Sequence, residues 1–252
     1  MTYQLIAYSI CVIGKREKQE DCLYPAVTLD GSPSDGPLFI LCDGMGGHLA
    51  GEVASQTVCE AMSSYILAHQ PFSETVFSAA LDAAYDALDL RNSDPAGVRT
   101  MGTTLTLACF YREGCWVAHI GDSRVYQIRP SLKQVLFVTQ DHSLVNDLVK
   151  VGEMTPDEAR TAPEKNVLTR AMQPHQEVRS RATCRLLEDI REGDYFFLCS
   201  DGMLEQMEED RLVQIVSAPC ADTEKVALLR KAAQDSKDNH SAHLIRVEAI
   251  LK

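Results

Sequence analysis

Two short runs in the 252-residue sequence each bring a carboxylate to the end of an apolar stretch: Phe39-Ile40-Leu41-Cys42-Asp43-Gly44-Met45 and Phe197-Leu198-Cys199-Ser200-Asp201-Gly202-Met203. Each stretch has the length and texture of a strand buried on both faces. A single Asp-Gly reads as a tight turn, because it is a favoured turn pair. Two of them, each after an apolar lead-in, put carboxylates at the rims of a core where water only partly solvates them. If the rims meet, two such charges repel by roughly 4 kcal/mol at 4 Å with an effective dielectric near 20. One of them then takes up a proton, or cations neutralise both. Three more aspartates stand where they could join: Asp21 beside Glu20, Asp122 after Ile120-Gly121, and Asp238 before Asn239 on entry to the last strand pattern. Singly, each also reads as a turn or cap residue. Together they form an all-oxygen donor set with no thiolate or imidazole cluster at metal spacing, which favours a hard ion such as Mg²⁺ or Mn²⁺ over Zn²⁺. His240 and His243 form a His-x-x-His, but along a strand that spacing sets the rings on opposite faces, so the pair reads as surface chemistry.

The elements that must position these groups are marked by alternation or short apolar runs. They predict strands at Gln4–Val12, Cys22–Thr28, Leu38–Cys42, Thr104–Tyr111, Cys115–Ile120, Arg124–Arg129, Val135–Thr139, Tyr195–Cys199 and Leu244–Leu251. The breaks Arg112-Glu113-Gly114 and Gly121-Asp122-Ser123 are short and contain Gly, as hairpin connections require. Two long helices come between: Ala54, Val58, Ala61 and Tyr65 mark one stripe, and Phe77, Leu81, Ala84 and Leu88 mark another behind a Ser73 cap. Past Thr139, Ser143 caps a short helix ending at Gly152, and Thr155-Pro156-Asp157-Glu158 has capping-box spacing. This polar insertion reads as a solvated connection or as a movable flap near a site. Amphipathic segments at Leu204–Val216 and Thr223–Ala233 precede the last strand. With no repeat or linker, one α+β domain of paired antiparallel sheets covered by helix pairs satisfies every stripe.

Composition narrows the function classes. With 24 Lys+Arg against 36 Asp+Glu, the formal charge is −12, which argues against nucleic-acid binding through phosphates. No apolar run approaches a membrane span, and Leu5 to Ile13 lacks the flanks of a signal peptide. Nine cysteines, an odd number and scattered, fit reduced thiols in a cytoplasmic protein better than a disulfide framework. A covalent aspartyl phosphatase would want Asp-x-Asp after the strand, and Asp43-Gly44-Met45 lacks the second carboxylate. An EF-hand loop, with its alternating acidic ligands, is absent from the sequence.

Eight blocks in order carry a resemblance. They are Arg16-Glu17-Lys18-Gln19-Glu20-Asp21, Cys42-Asp43-Gly44-Met45-Gly46-Gly47-His48, Gly102-Thr103-Thr104, His119-Ile120-Gly121-Asp122-Ser123-Arg124, Thr139-Gln140-Asp141-His142-Ser143, Asn166-Val167-Leu168-Thr169-Arg170-Ala171, Ser200-Asp201-Gly202 and Asp238-Asn239. With them the sequence resembles the bacterial form of the metal-dependent type-2C protein serine/threonine phosphatases.

The resemblance implies a four-layer α-β-β-α sandwich: one catalytic domain over residues 1–252, with a flap insertion at about 144–165. It implies two or three Mn²⁺ or Mg²⁺ ions per chain. Asp43 would bridge the two core ions, the Gly44 carbonyl would bind the first, and Asp201 and Asp238 the second. Asp21, with Glu20, would hold metal-bound waters, and Asp122 would join Asp201 around a third ion. Arg16 would grip the substrate phosphate. His48, near Asp43 and of suitable pKa class, is the candidate proton donor to the leaving oxygen. Leu144, Gly152 and Arg170 mark the flap that meets the protein substrate. The expected reaction is hydrolysis of phosphoserine and phosphothreonine in proteins, reversing a cognate Ser/Thr kinase, by a monomer with no nucleic-acid or membrane partner. The alternative is a pseudo-phosphatase that keeps the fold as a phosphoprotein-binding module.

Overall fold

Strands that are apolar on both faces need cover on both faces. In the computed structural model, which describes residues 2–26, 36–46, 50–92 and 101–251, four layers supply it. In chain order the first elements are β1 (Thr2–Val12), β2 (Asp21–Tyr24), β3 (Leu38–Met45), α1 (Ala50–Ala68), α2 (Glu74–Arg91), β4 (Gly102–Thr103), β5 (Leu105–Tyr111), β6 (Gly114–Ile120), β7 (Arg124–Arg129) and β8 (Gln134–Val138). Then come α3 (Leu144–Lys150), α4 (Pro156–Thr161), β9 (Thr183–Leu187), β10 (Tyr195–Cys199), α5 (Asp201–Leu204), α6 (Glu209–Val216), α7 (Asp222–Ala233) and β11 (His240–Leu251). One sheet has the order β1-β11-β10-β7-β8. The other runs β2-β3-β5-β6-β9, with β4 also on β3, and every pairing in both sheets is antiparallel.

Three apolar clusters define the layers. Phe39, Phe110, Val117, Phe196, Leu198 and Ile245 pack between the sheets. Ile40, Cys42, Leu107, Val58, Met62 and Leu88 join the outer face of the second sheet to α1 and α2. Phe197, Cys199, Leu212, Ile215 and Leu229 join the outer face of the first sheet to α6 and α7. Residues of β3 and β10 thus alternate between the central layer and a helix layer. This double burial is why both read as unbroken apolar runs. The result is the α-β-β-α sandwich that the sequence pointed to.

Local chemistry follows the sequence at most boundaries. Ser73 caps α2 through a bond from the Val76 N–H to its Oγ at 3.2 Å. Ser143 caps α3, and Thr155 and Glu158 complete a capping box with Pro156 in the first turn of α4. Several details differ, among them the strand β9, which the sequence did not mark, and α6, which starts at Glu209 rather than Leu204. Gly121-Asp122-Ser123 is not a hairpin, because β6 pairs with β5 and β9 whereas β7 pairs with β10 and β8, so this link crosses between the sheets. Asp43-Gly44 is not a turn, because β3 continues to Met45 and Gly44 pairs with Thr103. On α1 the fully buried line is Ala54, Val58, Met62 and Ile66, with Ala61 and Tyr65 only half-buried, because the helix lies between the sheet and α2. His240 and His243 are buried, not surface residues, and His243 sits between the sheets, its ring bonded to Ser9 Oγ and the Ile40 carbonyl. No helix among the described residues is long and apolar enough to cross a membrane.

Candidate metal centre

The two sheets end together at one edge of the sandwich, and five separate segments deliver carboxylates there. Asp21 opens β2 and is the direct cross-strand partner of Asp43 on β3. Asp201 opens α5 straight after β10. Asp122 rides the crossover between the sheets, and Asp238 lies two residues before β11. Electrostatically they form one group: the Asp43 carboxyl is raised well above the usual carboxylate range by burial and by the charges of Asp21, Asp201, Asp122 and Asp238. Burial and neighbouring carboxylates lift Asp21 and Asp122 to about 7. Glu20 and Asp201 are also raised, chiefly by burial.

Backbone clamps hold these positions. The Asp43 N–H donates to Thr104 Oγ1 at 3.0 Å, and its carbonyl accepts from Thr103 Oγ1 at 2.9 Å and from the Thr104 N–H at 2.9 Å. Ser200 Oγ donates to Asp21 Oδ2 at 3.1 Å, and the Asp21 N–H donates to Gln19 Oε1 at 3.0 Å. The loop carrying Arg16 and Glu20 is pinned by Asn239, whose Nδ2 donates to the carbonyls of Ile13 and Lys18 and whose Oδ1 accepts from the Glu20 N–H, each at 2.8 Å. Gly44 allows the first turn of α1 to reach the centre, since a Cβ there would stand 2.2 Å from the Gly51 carbonyl oxygen. Thr103, Thr104, Ser200 and Asn239 were in the sequence motifs, but their task of holding the carboxylates was missed. The one available signal was their position, each directly beside a motif carboxylate or in the Gly102-Thr103-Thr104 block.

Arg16 reaches into the same cleft. Its guanidinium Nη2 donates to Asp238 Oδ2 at 2.6 Å, with Arg16 more than half exposed. The bond to Asp238 holds the Arg16 pKa above its ordinary value. Of the insertion residues, Leu144 starts α3 and its N–H bonds the Val167 carbonyl at 2.9 Å, and Gly152 shapes an exposed turn with φ +78°. Arg170 places Nη1 3.4 Å from His142 Nε2, beside the Asp122 crossover. His48 lies outside the described residues.

The residues fit a hard divalent cation on two counts. Every donor is oxygen. Buried Asp21 Oδ1 and Glu20 Oε1 also have no hydrogen-bond partner, and such atoms normally require one. Among the described residues no three such side chains already surround a common point as ligands. Uncompensated carboxylates repel, and Asp238 is engaged by Arg16.

Comparison with known proteins places this arrangement. The family profile described as Protein phosphatase 2C matches residues 27–234. The serine/threonine protein phosphatase PstP of Mycobacterium tuberculosis is 33% identical over 206 residues, 81% of this chain and 37% of PstP. The chain thus spans little more than a third of that relative's length. Protein phosphatase PhpP of Streptococcus pneumoniae is 33% identical over 205 residues, 79% of this chain and 80% of PhpP. The crystal structure of M. tuberculosis PstP superposes with a TM-score of 0.83 at 30% identity over 98% of this chain and 100% of that one. A structure of the PstP catalytic domain in complex with two manganese ions gives 0.80 with the same identity and coverage. Matched along most of its length by profile, by sequence and by fold, the chain belongs to the protein phosphatase 2C family.

Proposed function

We propose that this chain hydrolyses phosphoserine and phosphothreonine in proteins with the help of bound Mn²⁺ or Mg²⁺, opposing a Ser/Thr kinase. The observation that carries the reading is the cluster of carboxylates with unpartnered buried oxygens, Asp21 Oδ1 and Glu20 Oε1, beside the exposed guanidinium of Arg16. Two or three ions are proposed. Asp43, the Gly44 carbonyl, Asp201 and Asp238 would hold the tighter pair, Asp21 and Glu20 would hold the water around them, and Asp122 with Asp201 would take a third. When bound, such ions lower the pKa of water and polarise phosphoryl oxygens, the two things a stable phosphate ester lacks.

The chain's own residues do the rest. Arg16 offers the phosphate a planar fork of two parallel N–H donors. It is free to do so once Asp238 is neutralised by something else. His48 is the proposed proton donor to the departing Ser or Thr oxygen. Around Leu144 and Gly152, and with Arg170 just beyond its end, the insertion at 144–165 would meet the protein surface flanking the phosphate. Residues 1–252 are read as a single catalytic domain working as a monomer in the cytoplasm, and the nine unpaired cysteines suit a reducing compartment.

The test is phosphate release from a phosphothreonine peptide with Mn²⁺, with EDTA, and by Asp201→Asn with Mn²⁺. Activity that survives EDTA or is unchanged in the variant would falsify the metal mechanism. Peptide binding without phosphate release would favour the phosphoprotein-binding alternative.

A further inference from the structure

His142 is buried at 5% exposure on the path from β8 into α3, outside the set of carboxylates. Its backbone N–H donates to the Gly121 carbonyl at 2.9 Å, and its own carbonyl accepts from the Thr169 N–H at 2.8 Å. The ring stacks on His119, centroids 4.4 Å apart and planes 5° from parallel. Ring Nδ1 faces the Gly121 N–H at 3.1 Å and so must be a bare acceptor. The ring proton is therefore on Nε2, where Thr183 Oγ1 lies at 2.8 Å. Burial, reinforced by His119 and the nearby Arg170, lowers the ring to about 3 and keeps it neutral.

The neighbouring residue completes the grip. Asp141 takes two bonds of 2.6 Å from the guanidinium of Arg124. Gly121 and Arg124 bracket Asp122 and Ser123, so two consecutive residues at the root of the insertion hold both ends of the crossover that carries Asp122. Gly121 adopts φ +107°, and a Cβ there would come within 2.6 Å of Thr104 Cγ2, so the crossover has little room to settle elsewhere.

We infer that His142 is a positioning residue: through its two bonds to Gly121 it sets the direction of the Asp122 carboxylate and couples it to both ends of the insertion. The inference rests on the reading of Asp122 as a cation ligand.

Two near-isosteric variants separate the bonds. His142→Asn places Oδ1 where Nδ1 stood, keeping an acceptor for Gly121 and giving up Thr183. His142→Gln keeps the reach to Thr183 and leaves the Gly121 N–H without a partner. The readout is the number and affinity of bound Mn²⁺, by calorimetry and by electron paramagnetic resonance of the free ion, with Asp122→Asn as reference. The expected result is a loss of about tenfold or more in the weakest Mn²⁺ affinity for His142→Gln, matching Asp122→Asn. His142→Asn should stay within about twofold of the wild type in that affinity, even though losing the Thr183 bond and the ring stack lowers its thermal midpoint. A His142→Gln chain that binds Mn²⁺ like wild type while Asp122→Asn does not would overturn the inference. If His142→Gln does not fold, the Asn variant decides alone: lost Mn²⁺ binding measured below its own thermal midpoint, where the chain is folded, overturns it. A wild-type chain that binds no Mn²⁺ overturns the underlying reading instead, before any variant is made.

Discussion

Asp21 has one carboxylate oxygen bonded by Ser200 and one buried without a partner, and its pKa has risen to about 7. Its charge therefore costs the cation-free protein stability. Asp21→Asn keeps an acceptor for Ser200 and removes the charge. The cation-free variant should be more stable than wild type by about 1–3 kcal/mol at pH 7.5 by urea unfolding, while its Mn²⁺-induced gain shrinks. Arg16→Lys makes the complementary test. Replacing a fork by a point charge should raise KM for a phosphothreonine peptide by roughly tenfold with a smaller change in kcat. At this scale the sequence was informative about charge and silent about support. Carboxylates next to apolar runs stand out, whereas Asn239 shows its partners Ile13, Lys18 and Glu20 only once the chain has folded, more than 200 residues away.

The approach of α1 to β3 depends on the absence of a side chain at Gly44. Gly44→Ala puts a methyl 2.2 Å from the Gly51 carbonyl oxygen, with backbone on both sides of the clash. The helix start must move, and a loss of about 2–4 kcal/mol in urea unfolding is expected, along with weaker Mn²⁺ binding. Strands β3 and β10 were readable because burial on both faces leaves no polar alternation to mislead. β9 was not: its residues Thr183 to Leu187 are exposed or half-buried at the sheet edge, and Thr-Cys-Arg-Leu-Leu looks like any loop. The Asp122 crossover was misread for a different reason. A short Gly-containing link has the same local chemistry whether it folds back or crosses to another sheet, and only the partners of β6 and β7 decide between them.

Over the whole molecule, two groups of buried ionisable residues pull stability in opposite directions with pH. Asp21 and Asp122 titrate near 7 when folded against about 3.9 unfolded, so the cation-free fold loses stability as pH rises from 4 to 7. His243, lowered to about 4 by burial, and His142, lowered to about 3, act the other way: their contribution falls as pH drops below about 6.5. Divalent cations bound among these carboxylates, as proposed, would cancel the first effect and leave the second. The rise in Tm on adding Mn²⁺ should therefore grow steadily between pH 5 and 7.5, as read by differential scanning fluorimetry. A shift that is flat across that range would mean the cations bind elsewhere. The surplus of 12 negative charges in the sequence thus includes a local surplus that the fold tolerates at one edge of the sandwich.

In the first sheet, β11 lies between β1 and β10, with Thr2 opposite Leu251 and Val12 opposite His240. The strand beside β1 is thus made after all the other strands of the two sheets, and Asp238 arrives with it. A nascent chain that has already made Asp21, Asp43, Asp122 and Asp201 can pair β2 with β3, but its first sheet still lacks the strand between β1 and β10 and its acids still lack Asp238. Joining strands so far apart in sequence is slow compared with local helix formation. Assembly of the full carboxylate set would therefore wait until β11 closes the first sheet between β1 and β10. Ending translation after Lys237 should give a chain that neither protects its β1 amides from hydrogen exchange nor binds Mn²⁺.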